Sequence, residues 1–170
     1  MKTVSFKNDI LPLKNVLYRL ALRITLNHED AEDIVQDTLI RVWNRREEWE
    51  QIESIEAYAL TIARNLALDK LKRADKKNVA LETNTDAQEA QVNNPYDRII
   101  QQDRLQMVRK LVDGLPEKQR SCMQLRDFEG KTYKDIAAIL GITEEQVKVN
   151  IFRARQSVRQ QLKAAEEYGL

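Results

Sequence analysis

Apolar residues recur at steps of three and four along most of the chain, and strand-like alternation is absent, so the pattern predicts an all-α protein. Val16, Leu17, Leu20, Ala21 and Ile24 form one face of a first helix that ends near Asn27. In the second, EDAEDIVQDTLIRVWNR, the residues Ala31, Ile34, Val35, Thr38, Leu39 and Val42 turn inward. Asp33, Gln36, Asp37, Ile40 and Asn44 project the other way. The segment 55–73 is the most apolar: Ile55, Ala59, Ile62 and Leu66 line one side, and Leu60, Ala67 and Leu71 line another. A helix with two apolar sides must be heavily buried, and between them runs a stripe of Tyr58, Thr61, Asn65 and Lys72.

The stretch 131–162 reads as a short helix, a tight turn and a longer basic helix, the pattern of a helix-turn-helix. Tyr133, Ile136, Ala137 and Leu140 give the first element its apolar face, and Gly141 interrupts where a left-handed backbone suits a turn. Thr143 can cap the next helix with its hydroxyl, and Glu144 and Glu145 fall in its first turn, where the helix dipole favours negative charge. Val147, Ile151, Ala154, Val158 and Leu162 make the inward stripe of that helix. Geometry then puts Lys148, Val149, Phe152 and Arg153 outward, with Glu145 and Gln146 at the leading end. A run of cations such as Lys148, Arg153, Arg155, Arg159 and Lys163 by itself denotes a solvated face. Without interleaved acids, on a helix opened by the glycine turn and with Phe152 pointing away from the core, it reads as a nucleic-acid surface.

Between these parts the periodicity collapses into the polar stretch DKKNVALETNTDAQEAQVNN, closed by Pro95. The chain therefore divides into a helical domain 1–73, a flexible linker 74–95 and a second helical domain 96–170 that carries the helix-turn-helix. From 82 to 97 the linker has only acidic charges, so it would avoid duplex DNA yet tolerate a basic channel in a larger partner.

Composition narrows this picture. The formal net charge is +1, so DNA affinity has to come from local patches rather than from a polycationic field. Cys122 is the sole cysteine, which excludes an internal disulfide and a cysteine zinc site; it reads as a small buried apolar residue beside Met123. His28 and Glu32 stand one helical turn apart without a third ligand, so His28 or Asn27 is read as a helix cap, and neither a metal nor another cofactor is expected. The first residues lack the uncharged core of a signal peptide and no apolar run reaches membrane-spanning length, so a cytoplasmic chain without membrane insertion is expected.

Two surfaces of the first domain invite chemistry. Ile40, an aliphatic side chain ringed by carboxylates and amides, looks like a docking spot, although a single exposed isoleucine also occurs without any role. The stripe of Tyr58, Thr61, Asn65 and Lys72 combines a ring, hydrogen-bonding groups and a cation, as in proteins that hold unstacked single-stranded bases. The preceding stretch NRREEWEQIES, with Arg45, Arg46 and Trp49, ends in a segment that could form a mobile loop beside that stripe, and Trp49 can also be simply core. Asp33 and Asp37 have no nucleophile or glycine-rich loop near them, so the chain is not read as an enzyme.

With these residues in view, the chain resembles a bacterial RNA polymerase sigma factor of the extracytoplasmic-function (ECF) group. DAEDIVQDTLIRVW resembles the family's core-polymerase-binding helix, AYALTIARNLALDKLKR its minus-ten helix, and LPEKQRSCMQLRDFEGKTYKDIAAILGITEEQVKVNIFRARQSVR its region 4. The resemblance implies that Asp33, Gln36, Asp37, Ile40 and Asn44 face core polymerase. It implies that Tyr58, Thr61, Asn65 and Lys72 lie by the opened minus-ten strand, and that Lys148, Val149, Phe152 and Arg153 enter the major groove of the minus-35 element. Core RNA polymerase, promoter DNA and an anti-sigma factor are the implied partners. Tyr58 stands where the family often has Trp, and Val149 and Asn150 replace a more usual Ser and basic residue. The competing reading is a stand-alone helix-turn-helix regulator, which would share the C-terminal module and bind its operator without polymerase.

Overall fold

The computed structural model describes residues 4–81 and 100–167, with side chains over 4–76 and 103–167, and all its regular elements are helical. The acidic linker stretch 82–97, Pro95 included, thus lies outside the described residues. After short turns at Phe6–Ile10 and Leu11–Leu13 come α1 (Lys14–Thr25), α2 (His28–Asn44) and α3 (Ile55–Leu81). The second half holds α4 (Ile100–Asp113), α5 (Glu117–Met123), α6 (Tyr133–Leu140) and α7 (Glu144–Glu167).

Helix limits follow from local chemistry. Leu26 ends α1 in the left-handed region, at φ 58°, its N–H donating to the Leu22 carbonyl. Asn27 then caps α2, its Oδ1 accepting from the Asp30 N–H at 2.9 Å, which settles the choice between Asn27 and His28. His28 instead pairs through Nδ1 with the Tyr18 hydroxyl at 2.6 Å. Ser54 starts α3 by accepting from the Ala57 N–H at 3.1 Å. That helix continues to Leu81, eight residues beyond the boundary expected at 73.

The inward faces are those that periodicity indicates. Val16, Leu17, Leu20, Ala21 and Ile24 of α1 and Ala31, Ile34, Val35, Thr38 and Val42 of α2 are buried, with Leu39 half-buried. α1, α2 and α3 pack mutually, and α5 and α7 form the centre of the second body with α4 and α6. Fully burying an aliphatic side chain of this size contributes about 1.5–3 kcal/mol, so these stripes dominate the stability of each body.

The two bodies also pack on each other, which the expected domain division does not by itself convey. α3 lies against α6 and α1 against α5, and one continuous apolar core joins Leu60, Ala63 and Ala67 of α3 to Cys122, Leu125, Ile136, Ile139 and Leu140. α3 needs two apolar sides because one covers its own body and the other meets the second. Cys122 is completely buried in this shared core, and burial raises its thiol pKa to about 11.

Candidate functional site

α2 holds the first surface. Its buried stripe fixes the rotation of the helix, so Asp33, Gln36, Asp37, Ile40 and Asn44 all face solvent, with Ile40 56% exposed. Asp33 shares Lys70 of α3 with Asp30, each oxygen 3.8 Å from the ammonium. One turn beyond Ile40, Trp43 is also exposed. Phe6 meets its ring edge-on at 5.4 Å and the Arg46 guanidinium lies over its face at 4.6 Å. Trp43 extends the apolar spot around Ile40; the signal for it was its spacing of three from that residue.

α3 carries the second surface. At about 100° per residue, Tyr58, Thr61, Asn65 and Lys72 fall on a third side of the helix, away from both buried ones. Asn65 and Lys72 are exposed, and Tyr58 and Thr61 half-buried. The Thr61 hydroxyl donates to the Ala57 carbonyl at 2.9 Å, which leaves its oxygen free to accept from a ligand. Arg45 forms an ion pair with Glu48 at 3.1 Å, and that hydrogen bond, with a smaller contribution from the Tyr58 charge, raises its pKa. Arg46–Gln51 forms a short 3-10 helix pinned by Trp49, which is buried and donates Nε1–H to the Val42 carbonyl at 2.8 Å, and residues 52–54 after it are non-helical up to the start of α3.

The third surface lies on α7. Gly141 takes φ 69° and its N–H closes on the Ala137 carbonyl, giving the left-handed turn expected there. Thr143 caps α7 by accepting from the Gln146 N–H at 3.0 Å, and Gln146 returns its Oε1 to the Thr143 N–H at 2.9 Å. This reciprocal capping box orients the first turn of the helix. Val147, Ile151, Ala154 and Val158 are buried, so Lys148, Val149, Phe152 and Arg153 stand outward on one face, Phe152 at 66% exposure. The Lys148 ammonium sits 5.6 Å from the Tyr133 ring centre. Arg155 pairs with Asp127 in the helical turn Gln124–Phe128 that follows α5, so this member of the basic run is engaged by the fold.

These groups form three surfaces rather than one pocket. Ile40 with its polar ring suits a protein partner, the α3 stripe suits extruded bases, and the α7 face suits a duplex groove. Among the described residues no three His, Cys, Asp or Glu side chains are grouped to hold a metal ion, and no helix is long and apolar enough to cross a membrane.

Models for Sigma-70 region 2 and Sigma-70 region 4 match residues 10–77 and 105–158. The ECF RNA polymerase sigma factor SigL of Mycobacterium tuberculosis is 32% identical over 150 residues, covering 85% of this chain and 81% of that protein. The ferric citrate uptake sigma factor FecI of Escherichia coli is 33% identical, with 83% and 79% covered. The ECF sigma factor SigE of Mycolicibacterium smegmatis is 35% identical over 86% of this chain, which spans only 57% of that longer relative. Among solved structures, the sigma factor RpoE of Bartonella quintana, crystallised with the anti-sigma factor NepR, superposes with a TM-score of 0.76. It is 27% identical, with 93% of this chain and 96% of that chain covered.

Proposed function

The chain belongs to the ECF group of the sigma-70 family, and from that premise we propose how its three surfaces share the work of starting transcription. As a sigma factor it directs promoter-specific initiation, binding core RNA polymerase and promoter DNA. The proposed contact with polymerase is the outer face of α2: Asp33, Gln36, Asp37 and Asn44 form the polar rim, and Ile40 is the apolar centre that loses water on docking. The observation that carries this is Ile40 itself, exposed on a helix whose opposite face is fully buried.

In the same proposal the α3 stripe captures the minus-ten strand once it opens. Tyr58 stacks on a base, Thr61 and Asn65 offer hydrogen bonds, and Lys72 meets phosphate, a division that holds single strands through stacking and charge. The α7 face enters the minus-35 major groove, with Lys148 and Arg153 reaching base edges or phosphates and Val149 and Phe152 making apolar contacts. Residues 1–73 serve as the polymerase and minus-ten domain, 96–170 as the minus-35 domain, and 74–95 as the tether that threads polymerase. The chain acts by binding and catalyses nothing itself, works in the cytoplasm where polymerase is, and is restrained by an anti-sigma factor.

Reconstitution tests this reading. With core polymerase and fragmented genomic DNA, the chain should direct transcripts whose start sites share two upstream elements. Start sites identical with and without the chain would refute it.

A further inference from the structure

Tyr133, the first residue of α6, meets cations from two other elements. The Arg126 guanidinium, from the turn Gln124–Phe128, lies 4.4 Å from the centre of its ring, and the Lys148 ammonium, from α7, lies 5.6 Å from it. Both are within the range at which the negative face of an aromatic ring attracts a cation.

The ring is a fixed point. Thr132 caps α6 by accepting from the Asp135 N–H at 3.0 Å, and the half-buried ring packs against the core that Ile136 and Leu140 enter. Arg126 is fixed as well: it is half-buried and donates from Nη1 to the Lys131 carbonyl at 2.8 Å. Arg155 is tied to Asp127, so it does not compete for the ring. Lys148 differs from these. It is exposed, and among the described residues its ammonium has this ring and no ion pair.

A lysine ammonium swings on a flexible four-carbon stem, and that freedom is lost when it settles on one acceptor. A ring that holds the ammonium beforehand removes part of the loss, which is preorganisation. Aim also decides what is read. A lysine directed at one place in the major groove meets the O6 and N7 acceptors of a guanine there, whereas one that sweeps finds whichever phosphate is nearest and carries no sequence information. Arg126 already shares the ring's negative face, so the hold on Lys148 is weak enough to yield to a base edge.

We infer that Tyr133 is a positioning residue for minus-35 recognition: its ring aims Lys148, and through that aim it sets the preference at the base pair Lys148 reaches. This rests on α7 reading the minus-35 duplex.

The test uses the chain bound to core polymerase and a promoter taken from the mapped start sites, with fragments in which each minus-35 base pair is exchanged in turn. The readout is the ratio of affinities for the original and the exchanged fragment. Tyr133→Leu should reduce that ratio about two- to fivefold at the base pair where Lys148→Ala acts, and leave the other ratios unchanged. Tyr133→Phe keeps the ring and should keep the wild-type ratio. Adding Tyr133→Leu to Lys148→Ala should cost nothing beyond Lys148→Ala alone, because one acts through the other.

A second series alters the ring's charge and hardly its shape: phenylalanine at 133 carrying one, two or three ring fluorines, which draw electron density from the face. The ratio should fall stepwise with fluorination, a trend that packing does not produce, and this series decides alone where Tyr133→Leu loses helical circular dichroism. A loss spread over every base pair, a Tyr133→Phe loss equal to that of Tyr133→Leu, an additive double variant or a flat fluorine series would each overturn the positioning role. A wild-type holoenzyme indifferent to every minus-35 exchange would overturn the reading of α7 beneath it, and intact wild-type discrimination separates the two failures.

Discussion

Ile40 and Arg64 are both out of place by polarity, one an apolar side chain in water and the other a cation in the core. Each is explained by a partner surface. For Ile40 the proposed partner is polymerase, and Ile40→Glu should leave thermal stability unchanged because the side chain makes no part of the core. In an interface centre the new charge should cost at least about 2 kcal/mol, roughly thirtyfold in affinity for core polymerase. Pull-down titration against core enzyme checks it, and wild-type affinity would show that this face of α2 is not the contact. Arg64 needed a partner too, since it lies among Leu60, Ala63 and Ala67 on a buried side. That placement was visible in the sequence as a cation interrupting an apolar stripe, but nothing local says that the acceptor stands 76 residues away at Leu140.

At the scale of elements, periodicity was a sound guide wherever a helix packs within its own body. The inward sets of α1, α2 and α7, the glycine turn and the Thr143 cap all follow from residues within a few positions of one another, and short-range geometry fixes those. Two features escaped for the same reason. Trp49 was ambiguous because its burial depends on the Val42 carbonyl seven residues back, and the length of α3 beyond 73 depends on no apolar stripe. The elements also divide the chemistry, since α3 is assigned to open strands and α7 to duplex. Tyr58→Ala should therefore impair transcription from a matched duplex yet recover on a template with an artificial bubble at minus ten. Lys148→Ala with Arg153→Ala should lose about 1–3 kcal/mol for each base contact removed, less for a phosphate contact, and discriminate less between minus-35 sequences on both templates, the bubble bringing no recovery of that discrimination. Transcript yields on the two templates measure this; parallel behaviour of the variants would contradict the assignment.

The whole molecule adds what neither body has alone, a junction that couples them. Cys122 reports on it through pH. Its thiol is held neutral by burial, with a pKa raised from 9.0 to about 11. A group raised in the folded state supports that state fully below the pKa of the exposed thiol and withdraws the support as pH climbs to the folded value. Between pH 9 and 11 the wild type should thus lose about 2 kcal/mol more than Cys122→Ala does, relative to each protein at pH 8. Urea denaturation at the two ends of that window checks the difference, and equal losses in both proteins would place the thiol in a wetter site than the shared core.

Charge sets the last consequence at this scale. A chain with a formal net charge of +1 offers little counterion release. The most direct measurement is the affinity for a fragment bearing both elements, taken at fixed salt with and without core polymerase. Alone, the chain should bind no tighter than about micromolar and discriminate little between promoter and random DNA, and core enzyme should confer specific binding at least about a hundredfold tighter. Tight, promoter-specific binding by the isolated chain, unimproved by polymerase, would contradict the account and favour a stand-alone helix-turn-helix regulator.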